Sequence, residues 1–302
     1  MKIFLTGATG YIGCQLAKRL LLEGHELAIV IRPKSNLKVL HKLLPEIEVH
    51  FYDGSYASLL VALNTSKPEL VVHISSLFIA QHKQEDVPQL IESNINFPVQ
   101  LLEAMNQLGI KQFINTGTSW QHFNNEDYNP VNLYAATKQA FESLLAFYVE
   151  SQGLKAITLK LFDTYGPGDF RPKLFSLLRK AARTGETLRM SPGQQVLDLV
   201  YIDNVLEAYK IAIEQLSVIQ KSENYAVSSL TTISLRDLVK IYSETVDRKV
   251  NVDWGGLPYR AREVFLPWTN YKLIPSWMNE VSFREGISSM EKDNQIDGLL
   301  SS

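Results

Sequence analysis

The sequence predicts a doubly wound α/β fold, in which a parallel sheet carries helices on both faces and a smaller α/β region follows toward the C-terminus. Three observations predict it. The stretch KIFLTGATGYIG at residues 2–13 is an apolar run that breaks into a glycine-punctuated turn and then into a helical pattern. Short apolar runs then alternate with helical segments as far as residue 161. Past Val250 the pattern weakens into aromatic and proline-rich chain.

Ile3-Phe4-Leu5 is the first strand. Gly7 can take a positive φ, Gly10 lets backbone N–H groups approach a pyrophosphate, and Gly13 lets the helix lie close to the strand. Tyr11 and Ile12 open that helix, and Leu16, Leu20 and Leu21 continue it at three-to-four-residue spacing, so an anion sits at its N-terminus. Residues 25–31 read as the second strand, ended by Arg32-Pro33. About 20 positions past such a turn, a carboxylate holds the adenosine ribose 2′-OH of NAD. Here the residue is Arg32, followed by Lys34 and Ser35, and a guanidinium favours a 2′-phosphate. NADP(H) is therefore the expected cofactor, with NAD as the alternative.

Residues 48–53 are the third strand, and Asp53 at its end is either an acceptor for the adenine amino group or a loop-starting Asp. Residues 70–74 are the fourth strand, running into Ser75-Ser76. A helix is expected over 87–108, stopped by Gly109, with Asn94 bonding nearby backbone or supporting the site. Residues 111–115 are the fifth strand, leading into Thr116-Gly117-Thr118-Ser119. Ligands belong at the C-terminal strand ends, where Gly7, Arg32, Asp53, Ser75 and Thr118 fall. Ser76 and Ser119, beside them, are expected on the substrate side.

Residues 130–152 are helical and carry Tyr134 and Lys138, four apart and so on one face. A tyrosine hydroxyl of pKa about 10 is a poor proton relay near neutrality, but an adjacent ammonium favours its phenolate. Taken alone, the pair reads equally well as a surface helix pair. Residues 156–161 are a sixth strand, closed by Tyr165-Gly166-Pro167-Gly168-Asp169. Helices are expected over 173–184, over 203–213 with Asp203 as N-cap, and over 234–245 with Ser234 as N-cap. The expected division is a cofactor domain of residues 1–165 with 201–228 returning to it, a substrate region of 166–200 and 229–290, and a polar, fraying tail over 291–302.

The chain has one cysteine, Cys14, which excludes a disulfide framework and a cysteine metal site; no metal is expected. With 30 basic and 32 acidic residues spread along it, the sequence shows no nucleic-acid footprint. The chain starts directly in a strand, and no apolar run approaches the roughly 20 residues that cross a bilayer, so a soluble, cytoplasmic protein with no membrane partner is expected.

Taken together, TGATGYIG, Thr118 after the fifth strand, Tyr134 with Lys138, and YGPGD at Tyr165 resemble the extended short-chain dehydrogenase/reductase family, over residues 1–290. That family has a Rossmann-type cofactor domain and includes nucleotide-sugar epimerases, dehydratases and reductases. FINTGTS at Phe113, LYAATKQ at Leu133 and GQQVLDLVYIDN at Gly193 look most like its CDP-abequose and CDP-paratose synthase group. Those are NADPH-dependent reductases of 4-keto-deoxyhexoses carried on a nucleoside diphosphate. The resemblance implies that Tyr134 moves the proton at the sugar C4 oxygen and that Thr118 hydrogen-bonds that oxygen. Lys138 would hold the nicotinamide ribose and tune Tyr134. Arg260 would grip the substrate diphosphate.

Two positions depart from the family pattern, Leu197 where an Arg is common and Asp163 where an Asn is common. Diphosphate binding then falls to Arg260, Arg262, Arg189 or Lys173, with Gln195 beside them in the Gly193 segment. The resemblance also implies a homodimer built on two helices per subunit, including the Tyr134 helix. A 4-epimerase would use the same Thr118, Tyr134 and Lys138 while retaining NAD. A 4,6-dehydratase calls for an Asp-Glu pair where this chain has Ser119-Trp120, and a catalytically silent dinucleotide sensor would tend to lack the Tyr134–Lys138 pair.

Overall fold

Period-two alternation in the strands sends apolar side chains to both faces of one sheet. The computed structural model describes the backbone of residues 1–300 and the side chains of residues 1–292. In β1 (Lys2–Thr6), Ile3 and Leu5 enter one apolar cluster and Phe4 enters a second on the opposite face. After α1 (Tyr11–Leu22), β2 (Glu26–Ile31) repeats the split, with Leu27, Ile29 and Ile31 on the first face and Ala28 and Val30 on the second. Next come β3 (Ile47–Phe51), α2 (Tyr56–Ser66) and β4 (Leu70–His73), the last with Leu70 and Val72 facing one way and Val71 the other.

The expected single helix over 87–108 is interrupted. It runs as α3 (Val87–Ile91), one π-helical turn at Glu92–Asn96, and α4 (Phe97–Leu108), closed by Gly109 at φ 71°. A π turn rotates the helix face at functional positions. Here Asn94 is buried and holds the loop after β4. Its Oδ1 accepts from Leu77 N at 2.8 Å, and its Nδ2 donates to Leu77 O and to Thr137 Oγ1, each at 3.0 Å.

The large sheet continues with β5 (Gln112–Thr118), α5 (Leu133–Gln152) and β6 (Lys155–Leu161). Asn132 starts α5 by accepting from Ala135 N at 2.9 Å. Beyond it lie β7 (Asp163–Tyr165), α6 (Leu174–Thr184), β8 (Leu188–Met190), β9 (Val196–Tyr201) and α7 (Ile202–Gln215). β10 (Ser222–Val227), β11 (Thr232–Ser234), α8 (Leu235–Val246), β12 (Val252–Trp254) and α9 (Phe283–Leu300) complete the chain.

Seven strands pair in the order β10-β6-β5-β4-β1-β2-β3, every neighbour parallel. The order reverses between β1 and β4, and that switch opens a crevice at the C-terminal ends of the two strands. Side chains of α1 and α7 fill the cluster on one face, and those of α2, α4 and α5 fill the other. Leu16, Leu20, Phe113 and Phe141 are fully enclosed, and each such side chain contributes about 1.5–3 kcal/mol of burial. A sheet of β11, β9 and β7 and a pair of β12 with β8 build the smaller region.

One expectation about an element end is corrected. Asp203 is not the cap of α7: the helix starts at Ile202, and Asp203 lies in its first turn, where a carboxylate meets the positive end of the helix dipole. The polar tail expected over 291–302 lies, beyond Lys292, outside the residues whose side chains are described. Glu291 accepts from Arg179 Nε at 3.0 Å and from the Tyr242 hydroxyl at 3.1 Å, which ties this end of the chain to α6 and α8. Ser301 and Ser302 lie outside the described residues. Ser234 does cap α8, accepting from Asp237 N at 3.1 Å. Among the described residues no helix is long and apolar enough to cross a membrane.

Candidate active site

The glycine turn builds one wall of a groove of about 750 Å³ along the C-terminal ends of β1, β2 and β4. Gly7 sits at φ 76°, and a Cβ there would lie 2.6 Å from Ser75 N. A Cβ on Gly13 would lie 2.1 Å from Gly7 O, so only glycine lets α1 approach. Gly10 caps α1 with no side-chain bond, which leaves the first N–H groups of the helix, at Tyr11, Ile12 and Gly13, toward the groove. Thr6 Oγ1 accepts from Ile74 N and Ser75 N, each at 3.2 Å, and so fixes the opposite wall.

Arg32 and Ser35 line the end of the groove by β2, and the Arg32 backbone N–H donates to Ser35 Oγ at 3.1 Å. Asp53 does not join them. Its carboxylate accepts from Ser55 N at 2.9 Å and Ser55 Oγ at 2.6 Å, which opens α2, while Tyr52 lines the groove in its place.

Two polar groups bear on what the groove can hold. Ser75 Oγ and the Tyr11 hydroxyl are buried with no hydrogen-bond partner among the described residues. Lys138, one turn along α5 from Tyr134, is 2% exposed and lines neither this groove nor the neighbouring cavities. Buried hydroxyls without partners are costly unless a ligand satisfies them. Phosphate would satisfy the helix N-terminus, so these residues fit a dinucleotide.

Tyr134 stands in the first turn of α5, behind the Phe78 side chain that lines both this groove and a second cavity, and is itself among the lining residues of neither. Its ring meets Phe78 edge-on at 5.0 Å, and Ser76, which lines the groove, is close enough to act on its hydroxyl. Burial pushes the Tyr134 hydroxyl up to about 12; Ser76 opposes this and Asp163 adds to it. Lys138 is not among these influences, contrary to the expected tuning of the tyrosine by its ammonium. Lys138 itself is held down to about 8 by burial, against the pull of Glu142. Thr118 ends β5, where its Oγ1 accepts from Trp120 N at 3.3 Å and its N–H donates to Gln121 Oε1 at 2.9 Å.

The second cavity, about 350 Å³, has walls that include Phe78, Trp120, Asp163, Lys173, Leu197 and Arg260. Phe78 therefore belongs to both cavities. The cations of this cavity already have carboxylates. Arg171 meets Asp169 at 2.7 Å, Arg179 meets Glu291 at 3.0 Å, Arg260 meets Glu263 at 3.3 Å, and Lys173 stands 3.9 Å from Asp163. Arg260 also lies over the Trp120 ring at 5.6 Å, and Lys173 over Phe78 at 5.4 Å. Gln195 faces the cavity while donating to Ser191 Oγ. Arg189 is turned away: on the edge pair β8–β12 it donates to Gly256 O and faces Asp253, outside the cavity.

A smaller cavity of about 60 Å³ adjoins this one and is lined by Ser119, His122, Asp198, Arg262 and Trp268. Residues 260–271 form a strap over it. Asn125 Oδ1 accepts from Thr269 N at 2.8 Å and Asn270 N at 3.0 Å, and Arg262 donates to Asn129 and stacks on Phe123 at 4.3 Å. His122 donates from Nδ1 to Glu126 O at 3.0 Å and accepts at Nε2 from Lys160 at 2.9 Å. Sequence reasoning missed Phe78, Trp120 and the strap. Phe78 had a local signal, an aromatic just after Ser75-Ser76 at a strand end, whereas the strap depends on contacts more than a hundred residues apart.

Comparisons with known proteins agree with this architecture. The profile described as NAD dependent epimerase/dehydratase family matches residues 3–228. A CDP-abequose synthase from Yersinia pseudotuberculosis is 27% identical over 91% of this chain and 94% of its own. A UDP-glucose 4-epimerase from Lacticaseibacillus casei is 24% identical over 86% of each. The crystal structure of the UDP-glucuronic acid 4-epimerase from Bacillus cereus, in complex with UDP-glucuronic acid and NAD, superposes with a TM-score of 0.86 at 21% identity. It covers 98% of this chain and all of that one.

Proposed function

The chain belongs to the NAD dependent epimerase/dehydratase family, and from that footing we propose that it is an NADPH-dependent reductase of a nucleoside-diphosphate 4-keto-deoxyhexose, acting at C4. The observation that carries this reading is the place of Tyr134, packed edge-on against Phe78, which the dinucleotide groove shares with the second cavity. When bound, the dinucleotide supplies the hydride. Tyr134 gives its hydroxyl proton to the C4 oxygen as that oxygen gains charge. With the hydroxyl pushed up to about 12, the residue enters the reaction protonated, as a reduction needs. Thr118 donates a hydrogen bond to the same oxygen, and Lys138 would hold ribose hydroxyls of the cofactor.

Arg32 in the place of a carboxylate supports the 2′-phosphate of NADPH. Phe78, Trp120 and Leu197 supply the apolar wall that a deoxygenated sugar suits, and the relatives named CDP-abequose synthase point the same way. Arg260 and Lys173 would hold the diphosphate by exchanging Glu263 and Asp163 for phosphate oxygens. In this reading residues 1–165 with 201–228 serve the cofactor, and 166–200 with 229–290 serve the substrate. Pairing with a second copy through α4 and α5 would cover Phe147, which is exposed on α5.

The test is oxidation of NADPH by the purified protein with a nucleoside-diphosphate 4-keto-6-deoxyhexose. Consumption of NADPH is expected, and Tyr134→Phe should lower turnover about 10²- to 10⁴-fold while cofactor still binds. A 4-epimerase is the second reading, favoured by the likeness to UDP-glucose 4-epimerases. Tightly held NAD with no net consumption of NADPH would establish it instead.

A further inference from the structure

Tyr134, Lys138 and Glu142 follow one another at four-residue spacing on α5, so one helix face presents all three in a row. Lys138 and Glu142 are both enclosed: Lys138 is 2% exposed, and the Glu142 side chain is 10% exposed. Glu142 has partners on its other side as well. Its Oε1 accepts from Gln121 Nε2 at 2.9 Å, and its Oε2 lies 3.3 Å from Lys160 Nζ of β6, which is as deeply buried. Gln121 in turn accepts from Thr118 N, so the same carboxylate reaches the end of β5 where Thr118 sits.

We propose that Glu142 is a positioning residue of this active site: one helical turn from Lys138, its buried carboxylate holds Lys160 and, through Gln121, the Thr118 end of β5, and its single negative charge acts on both buried ammonium groups. The proposal rests on the reading of Tyr134 as proton donor and of Lys138 as the cation that holds the cofactor ribose. A buried lysine without a counter-ion tends to give up its proton. Burial lowers Lys138 to about 8, and Glu142 is the group that opposes the shift. The other groups facing Lys138 do not compensate. Tyr134 on α5 is protonated, and His73 on β4 is neutral, pushed down by its own burial and by Lys138. On the far side His122, also neutral, accepts from Lys160, so Lys160 has Glu142 as its only anionic partner among the described residues.

Sharing predicts opposite responses from two variants. Glu142→Gln removes the counter-charge, so Lys138 should lose its proton about one pH unit lower. Lys160→Met leaves Glu142 to Lys138 alone, so Lys138 should lose its proton at higher pH. The measurement is an NMR titration of the full chain with ¹³C-labelled lysine, Lys138 being assigned through Lys138→Arg. The alkaline limb of kcat/KM is followed in parallel, with about tenfold lower activity expected above the limb in Glu142→Gln.

Shifts in opposite directions, with Glu142→Asp close to the parent, support the proposal. A Lys138 titration that stays in place in both variants, or moves the same way in both, overturns it. If Glu142→Gln does not fold, the direction of the Lys160→Met shift decides. The reading beneath it fails separately, by full turnover in Tyr134→Phe.

Discussion

The imidazole of His122 lies flat on the indole of Trp268, with ring centroids 3.8 Å apart and planes 12° from parallel. Through this contact a neutral histidine on the catalytic side becomes the seat of the strap that bears Arg260. Burial, and then Lys160, pushes His122 down to about 4, and the bonds to the Glu126 backbone oppose this only in part.

That histidine makes stability depend on pH. The unfolded chain protonates His122 near 6.5, whereas the folded chain resists until about 4. The stabilisation is therefore fully present above about pH 6.5 and lost as pH falls toward 4, by about 3 kcal/mol from this group. His73 acts in the same direction. Denaturant unfolding at pH 7 and pH 5 should show the slope, and His122→Gln should flatten it. An equal slope in that variant would exclude His122 as its source.

Removing the indole tests the strap. Trp268→Ala should raise KM for the nucleotide sugar about tenfold or more, through Arg260, while changing the KM for NADPH little. A cavity of this size in a packed contact costs about 3 kcal/mol of stability, so melting has to be followed alongside. Equal losses toward both ligands would mean that the strap supports the fold rather than the substrate.

At the other end of the groove, Arg32→Ala should lower kcat/KM for NADPH about 10- to 100-fold, the worth of a hydrogen bond to a charged group. The value for NADH should hardly change. A parallel fall with both cofactors would remove the 2′-phosphate assignment.

Gly13→Ala should be the most damaging single-methyl substitution in the turn. Its Cβ would sit 2.1 Å from Gly7 O, backbone that cannot step aside without closing the groove. Destabilisation of about 3 kcal/mol and loss of dinucleotide binding are expected, read by melting and by fluorescence titration. Wild-type binding in this variant would show that the turn relaxes.

Asn94→Ala should leave Leu77 N and O without their partner. A cost of about 1–3 kcal/mol and a raised KM for the dinucleotide are expected, because Leu77 lines the groove. Unchanged cofactor affinity with lower stability would make Asn94 purely structural.

What could be read from the residues was whatever local patterning controls. Strands buried on both faces are apolar throughout, so β1, β2 and β4 stand out, and four-residue spacing on α5 brings Tyr134 and Lys138 to one face. β10 begins Ser222-Glu223-Asn224 and hides its apolar half only through pairing with β6, which no local pattern reveals. The π turn that rotates Asn94 leaves the spacing of apolar residues nearly intact. Asp53 and Arg189 carry suitable chemistry, but nearer partners, Ser55 and the Gly256 carbonyl, take it up first. Glu142 is an ordinary helix glutamate in the sequence, and only β6 makes it a counter-ion.

Phe78 gives one side chain to the walls of two cavities, with Tyr134 against its edge and Lys173 over its face. Any shift of that ring on filling one cavity alters the shape of the other. Thermodynamic linkage then requires the effect to be mutual: whatever factor dinucleotide adds to sugar affinity, sugar returns to dinucleotide affinity. The two ligands thus report on each other through the Phe78 ring, with Arg171 also lining both cavities, and Phe78→Ala should weaken that exchange.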